Sequence, residues 1–407
     1  VEYIYKIEKN YRHLKTAAFI FFFAYSILFV LLGRVLFGVD ETIAILILTV
    51  ALLPFILMLN EMKGRNINII ALIIPGVIMI LGKIMYAIIL DPLATLDATR
   101  YYVQVAQYQH NFDQFLDFFW ASFTTDYLMM SSYPSFGIVY LPMYILFNTD
   151  SPLLIVLFNS TNLILISYFS YLITKRHFWQ EVNNTLFSRL IIAGLLISPT
   201  LMYWSSTFSK DIFSVLLAII SLYFLLDKRY ILFFLFLVYS TMLRPYSIVI
   251  IAIYYVFYRG SKKLMWMGVL GSTAVVAYYV GVKGVVNIFN TLAYLIASPN
   301  PFSLVNWDRF FLLEVEILIL LGGLALSFYV FINDKQSRKF YLLALGGLYI
   351  YSCVMTLLGF GVIDGREQSY SLGSVGDDMS RKKLPIIVLY YTVISYTIVR
   401  LSKKYHW

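Results

Sequence analysis

The sequence predicts an all-α polytopic membrane protein, and three observations predict it. Apolar residues fill 60% of the 407 positions and charged residues only 13%, against about 45–50% and about 25% in soluble domains. Several apolar runs exceed the roughly 18 residues that a helix needs to cross a bilayer. Aromatic residues reach 18%, with 34 Tyr and 33 Phe. A β-barrel would instead show short alternating segments. The expectation is about 12 transmembrane helices plus a short re-entrant or broken segment, in a single integral membrane domain over 1–407. Long outer loops carry amphipathic helices, and no internal repeat or soluble domain is visible.

The basic segment "VEYIYKIEKNYRHLK" precedes the first apolar run. No small-residue cleavage site follows it, so it reads as a retained anchor. Spans are expected near 16–37, 42–60, 67–90, 152–174, 188–204, 211–227, 230–243, 246–258, 264–282, 315–333, 340–360 and 385–400. The run 134–147, interrupted by Pro142, is expected to dip in and return.

Orientation follows from lysine and arginine, which favour cytoplasmic loops. Alternating the connections from an inside N-terminus puts 20 of the 31 basic residues on the inner side. Both termini are therefore expected to be cytoplasmic, in a bacterial inner membrane. The long connections 91–133, 283–314 and 361–384 then share the outer face, and function is expected there.

Composition excludes several chemistries. One cysteine, Cys353, excludes an internal disulfide framework and a cysteine-based zinc site. The four histidines are scattered without ligand spacing. The net charge of +9 is spread along membrane edges, so nucleic acid is not an expected partner.

The run from Tyr230 to Tyr258 holds one charge, Arg244, in "YSTMLRPYSIVI". As one helix it would be about 44 Å long, against a hydrocarbon core near 30 Å. It would also separate the basic clusters at 228–229 and 259–263 onto opposite faces. Pro245 removes a backbone donor and biases Arg244 away from helical angles. Two short helices broken at Arg244–Pro245 satisfy both constraints. A charge so placed pairs or lines a wet cavity, and snorkelling is the simpler alternative.

Other outer elements carry polar residues. In "DPLATLDATRYY", Asp97 lies just past a span end, beside Arg100 and Tyr101. Around Asp113 and Asp117, Phe115, Phe118, Phe119 and Trp120 suggest an interfacial helix with its aromatic face down. In "MYWSSTFSKDIF", Lys210 and Asp211 stand at a helix start, either as cap and snorkelling cation or as an anion site. Asn300, Trp307, Asp308, Arg309 and Glu314 could contact a sugar or headgroup, though an interfacial anchor is the plainer role. The outer cluster Arg381, Lys382 and Lys383 breaks the orientation rule. Lipid headgroup attraction or a phosphorylated ligand would account for it. Lys83, inside the third span, could join that site or pair with an acid. Cations that neutralise a diphosphate, with a carboxylate that takes a proton, suit transfer from a diphosphate leaving group.

The motifs "DATRYY", "YPSFGIVYLPMYILFNTDSPLLIVLFN", "WSSTFSKD", "LRPY", "NPF…W" and "SRKKLP" resemble, over about 90–390, bacterial Wzy-type repeat-unit polymerases. More distantly they look like GT-C membrane glycosyltransferases. The resemblance implies an undecaprenyl-diphosphate-linked oligosaccharide substrate, used on the outer face of the inner membrane. A chain-length regulator protein is a further candidate partner. In GT-C enzymes an acid of the first outer loop activates the acceptor, and Asp97 takes that position. Two extra spans precede that loop here, and the paired acidic motif and large C-terminal soluble domain of GT-C enzymes are missing.

Under this reading Asp97 or Asp211 is the base, and Lys210, Arg244, Arg381, Lys382 and Lys83 bind the diphosphate. Tyr101, Tyr203, Trp204 and Tyr246 line the sugar and lipid path, and neither a metal nor another cofactor is required. The rival readings are a flippase or other transporter of lipid-linked oligosaccharide, and a non-catalytic scaffold.

Overall fold

The computed structural model describes residues 70–125, 132–148, 150–179, 184–363 and 379–405. The expected spans at 16–37 and 42–60 lie outside the described residues. Among the described residues every regular element is helical. In chain order they are α1 (Ile70–Ile89), α2 (Leu96–Tyr108), α3 (Phe112–Thr125), α4 (Ser132–Phe147), α5 (Leu153–His177) and α6 (Asn184–Leu196). There follow α7 (Pro199–Ser205), α8 (Asp211–Leu226), α9 (Tyr230–Leu243), α10 (Ser247–Arg259), α11 (Lys262–Val280) and α12 (Val282–Ile296). The chain continues with α13 (Leu304–Asn333), α14 (Arg338–Gly359), α15 (Met379–Lys382), a 3-10 turn (Leu384–Ile386) and α16 (Ile387–Tyr405).

Five helices are long and apolar enough to cross a membrane: α5, α11, α13, α14 and the segment Ser380–Lys403. A bent pair within α6 and α7 makes six if it counts as one span. The difference from the expected dozen has a geometric cause. The apolar runs read at 211–227, 230–243 and 246–258 form helices of 16, 14 and 13 residues. At 1.5 Å per residue these reach only about 20–24 Å, short of a hydrocarbon core near 30 Å.

The span expected at 188–204 is broken rather than straight. Ser198 caps α7 by accepting from the Leu201 amide, and Pro199 occupies its first turn. The two arms meet at 47°. A proline cannot donate to the preceding turn, so the ladder stops there. Segment 134–147 also differs from expectation. It is part of one helix, α4, with Pro142 inside it, and it does not dip and return.

The interfacial reading of α3 changes as well. Phe115 and Phe119 are buried, whereas Phe118 and Trp120 are exposed. Phe115 packs where Gly137 of α4 has no side chain. Residues 282–296, expected within a loop, form helix α12. It buries Ile288 in a small cluster with Val276, Cys353 and Leu357. Gly281, at φ 74°, makes the sharp turn from α11 into α12.

Helix α8 is the centre of the bundle, buried continuously from Asp211 to Tyr223. At its far end, Asp227 meets His177 Nε2 at 2.8 Å. One turn earlier in α5, Thr174 Oγ1 lies 3.3 Å from Tyr258 Oη. The C-terminal ends of α8 and α10 therefore sit together. Between them α9 runs away and stops at Arg244, whose extended backbone (φ −145°, ψ 106°) ends the helix. Arg244 then reaches Asp211, the first residue of α8. The segment is a hairpin with its two feet at one end and Arg244 at the other.

Candidate anion site at the arginine cluster

Asp211 stands at the start of α8 because the loop before it is pinned. The fully buried Asn159 of α5 donates its amide to Ser209 O at 2.8 Å and Thr207 O at 3.3 Å. Ser209 Oγ accepts the Asp211 amide at 3.1 Å and donates to Oδ2 at 3.0 Å. The carboxylate, 5% exposed, receives Arg244 Nη2 on Oδ1 and Arg381 Nε on Oδ2. Arg381 Nη1 goes on to Asp97 Oδ2 at 2.7 Å. Asp97 sits in the first turn of α2, whose cap is Thr95. Four elements distant in sequence thus meet through one chain of charges, Arg244–Asp211–Arg381–Asp97.

The electrostatics are lopsided. Lys210, at the N-terminal cap of α8, is disfavoured as an ammonium first by burial and then by Arg244, Arg381 and Lys382, while Asp97 favours it. Two guanidiniums and two lysines therefore face two carboxylates. Burial pushes the Asp97 carboxyl up. The Arg381 guanidinium, with Lys210 and Arg244, outweighs that and holds it below the usual carboxylate range.

Aromatic rings border the cations. Arg381 Cζ lies 6.0 Å from the Trp204 ring, and Arg244 Cζ lies 5.9 Å from the Tyr246 ring. Both are near the limit for cation–π attraction. Trp204 Nε1 is buried and has no hydrogen-bond partner among the described residues. An unfilled donor beside an excess of positive charge suits an anionic or oxygen-rich ligand.

Not every expected site residue joins this cluster. Lys83 donates to Ser205 Oγ at 3.0 Å and Ser206 Oγ at 2.6 Å. Among the described residues it forms no ion pair with an acid. The Tyr101 ring is buried edge-on against Phe136, within the packing of α2 on α4. Tyr203 packs edge-on against Tyr86 and Phe310. Lys383 is fully buried and donates to Ser298 O at 2.8 Å. Two polar residues at the start of α13 tie down the turn before it: Trp307 Nε1 donates to Pro301 O at 2.9 Å and Asn306 Nδ2 to Asn300 O at 3.0 Å.

Two buried polar residues had no sequence reading. Asn159 lay inside an apolar run and carried no signal beyond its polarity. Glu316 is 1% exposed and accepts from Ser198 Oγ at 2.5 Å, the Thr200 amide at 2.9 Å, Thr200 Oγ1 and Tyr391 Oη at 2.6 Å. It pins the broken α6–α7 pair to α16. Its signal was a carboxylate at the head of an apolar run, where a charge must be paired.

Among the described residues no group of three or more His, Cys, Asp or Glu could hold a metal ion. Comparison with protein-family models, curated proteins and solved structures finds no match to this chain.

Proposed function

We propose that this chain is a membrane glycosyltransferase that joins lipid-diphosphate-linked oligosaccharide repeat units. The observation that supports it is the Arg244–Asp211–Arg381–Asp97 chain, with Lys210 and Lys382 beside it. In this proposal Arg244, Arg381, Lys210 and Lys382 hold the diphosphate, through charge-assisted and forked hydrogen bonds. Both oxygens of Asp211 are occupied by guanidiniums, so its role is to aim them. Asp97 is the base. At 36% exposure its carboxylate is the more accessible of the two, and it is ionised at neutral pH.

The acceptor hydroxyl oxygen bonds to the anomeric carbon as the bond from that carbon to the phosphate oxygen breaks. The diphosphate leaves with the electron pair, and its growing charge meets cations already fixed in place. Asp97 takes the hydroxyl proton. Trp204 and Tyr246 border the sugar. The same proposal takes the runs at 16–37 and 42–60, helix α1, and the short helices α8, α9 and α10, where the bilayer thins, as further crossings beside the six. They make about twelve in all, with both termini on the cytoplasmic side of a bacterial inner membrane.

The test is extension of lipid-diphosphate-linked repeat units by purified protein, read as a ladder on a gel. Extension by wild type is expected, with loss in Arg244→Lys, which keeps the charge but not the fork. Wild-type protein that gives no extension with its cognate donor overturns the proposal.

A further inference from the structure

The end of the bundle opposite the arginine cluster carries a cavity of about 310 Å³. It lies between the last turns of α13 and α16, lined among others by Tyr329, Asn333, Asp334, Arg400 and Lys403. Its place in the bundle follows from contacts already described. Tyr396 of α16 and Phe340 of α14 pack on Phe178, which directly follows His177 and its partner Asp227. Both flanking helices are long and apolar enough to cross a membrane, so their ends fall at headgroup depth.

The cations here are only partly engaged by the protein, and Arg400 also lies over the Tyr396 ring, 5.3 Å from its centroid. Arg400 is only 13% exposed, and its Nε donates to Tyr396 Oη at 2.9 Å and lies 3.6 Å from Asp334 Oδ2. Among the described residues no protein acceptor meets its two Nη groups. Asp334 is engaged in its own turn, accepting from Ser337 Oγ and from the Gln336 amide at 3.0 Å. Arg338 donates Nε to Phe331 O at 3.1 Å and Nη2 to Ile332 O at 3.0 Å. It thereby covers the negative end of α13 that would repel an anion. Lys403 is exposed at the rim and makes no ion pair among the described residues. Elsewhere on the same two helices, Phe328 and Ile332 of α13 and Ile398 of α16 are exposed apolar side chains.

We propose that this cavity binds the phosphate headgroup of an anionic glycerophospholipid. The two Nη groups of Arg400 and the Lys403 ammonium take the phosphate oxygens. The acyl chains lie along the exposed apolar faces of α13 and α16. A mostly buried guanidinium with open Nη donors, at headgroup depth between two helices that carry exposed apolar side chains, matches a lipid better than a soluble anion. The inference does not depend on the transferase reading, because the two sites lie at opposite ends of the bundle.

The test uses the full chain in nanodiscs of phosphatidylcholine alone or with phosphatidylglycerol. Melting temperature and lipid retained in native mass spectra are the readouts. Phosphatidylglycerol is expected to raise the melting temperature and to be retained over phosphatidylcholine. Lys403→Gln alters an exposed side chain and leaves the fold intact, and it should weaken that retention about fivefold, the worth of one basic residue at a membrane surface. Arg400→Gln should weaken it further, and if that variant does not fold, Lys403→Gln decides. Equal retention of both lipids, or retention unchanged in Lys403→Gln, overturns the proposal. So does soluble glycerol 3-phosphate in detergent giving the same stabilisation without lipid, because the cavity is then a free-anion site.

Discussion

Arg381 Nη1 donates to Asp97 Oδ2 at 2.7 Å across 284 positions of sequence. This contact joins the start of α2 to the segment ahead of α16. Because the same guanidinium also reaches Asp211, the described loops at one end of the bundle share one electrostatic lock.

The core of that lock is the Asp211–Arg244 pair. Both side chains are at least 85% buried, at 5% and 15% exposure. Asp211→Asn should destabilise the protein by about 3–5 kcal/mol, since it leaves two guanidiniums without their carboxylate. A double-mutant cycle with Arg244→Met should show a coupling of about 0.5–3 kcal/mol. Additive effects in thermal melts would mean that the pair does not form.

Acid should open the Asp97 arm selectively. Its carboxyl is held below the usual range in the fold, so the ion pair contributes stability above the ordinary carboxylate range. That contribution is lost as pH falls through the depressed folded value. The melting-temperature gap between wild type and Asp97→Asn should be constant near neutrality and close at acid pH. A gap that widens on acidification would give the opposite sign.

The hairpin makes a topological prediction. Cys353 is the only cysteine and is buried, so Cys353→Ala supplies a background for labelling. Arg229→Cys and Lys262→Cys, at the feet of α9 and just past α10, should react with an impermeant thiol reagent from the same side of the membrane. Reaction from opposite sides would require α9 and α10 to form one crossing.

Adjacent glycines in α13 should behave in opposite ways. A Cβ at Gly323 would lie 2.7 Å from Ile394 Cγ1, whereas one at Gly322 meets nothing within 4 Å. Gly323→Ala should cost about 1–3 kcal/mol through overpacking against α16. Gly322→Ala should be neutral or stabilise by up to about 1 kcal/mol through helix propensity. Denaturation midpoints of the two variants compare them directly.

Much of the site was visible as residue types in the sequence. Arg244 announced itself as a charge beside proline in an apolar run, and Lys210–Asp211 as polar residues at a helix start. Asn159 and Glu316 were not visible in that way. A polar residue within or at the head of an apolar run reveals neither what it bonds to nor which element it holds. Lys83 shows the converse, because its charge was conspicuous while its partners, Ser205 and Ser206, lie more than a hundred positions away.

By itself the sequence determined the helical, apolar character of the chain and the break at Arg244–Pro245. These depend on local chemistry: run length and the missing proline amide. Only the tertiary structure decided that the α9–α10 hairpin packs with α8 around a buried centre, and that α6 and α7 bend apart. It alone brought Asp97, Asp211, Arg244 and Arg381 into one chain and sent Lys83 elsewhere. A buried charge must find a partner, but its identity depends on which helix faces pack together, and that is a property of the whole bundle.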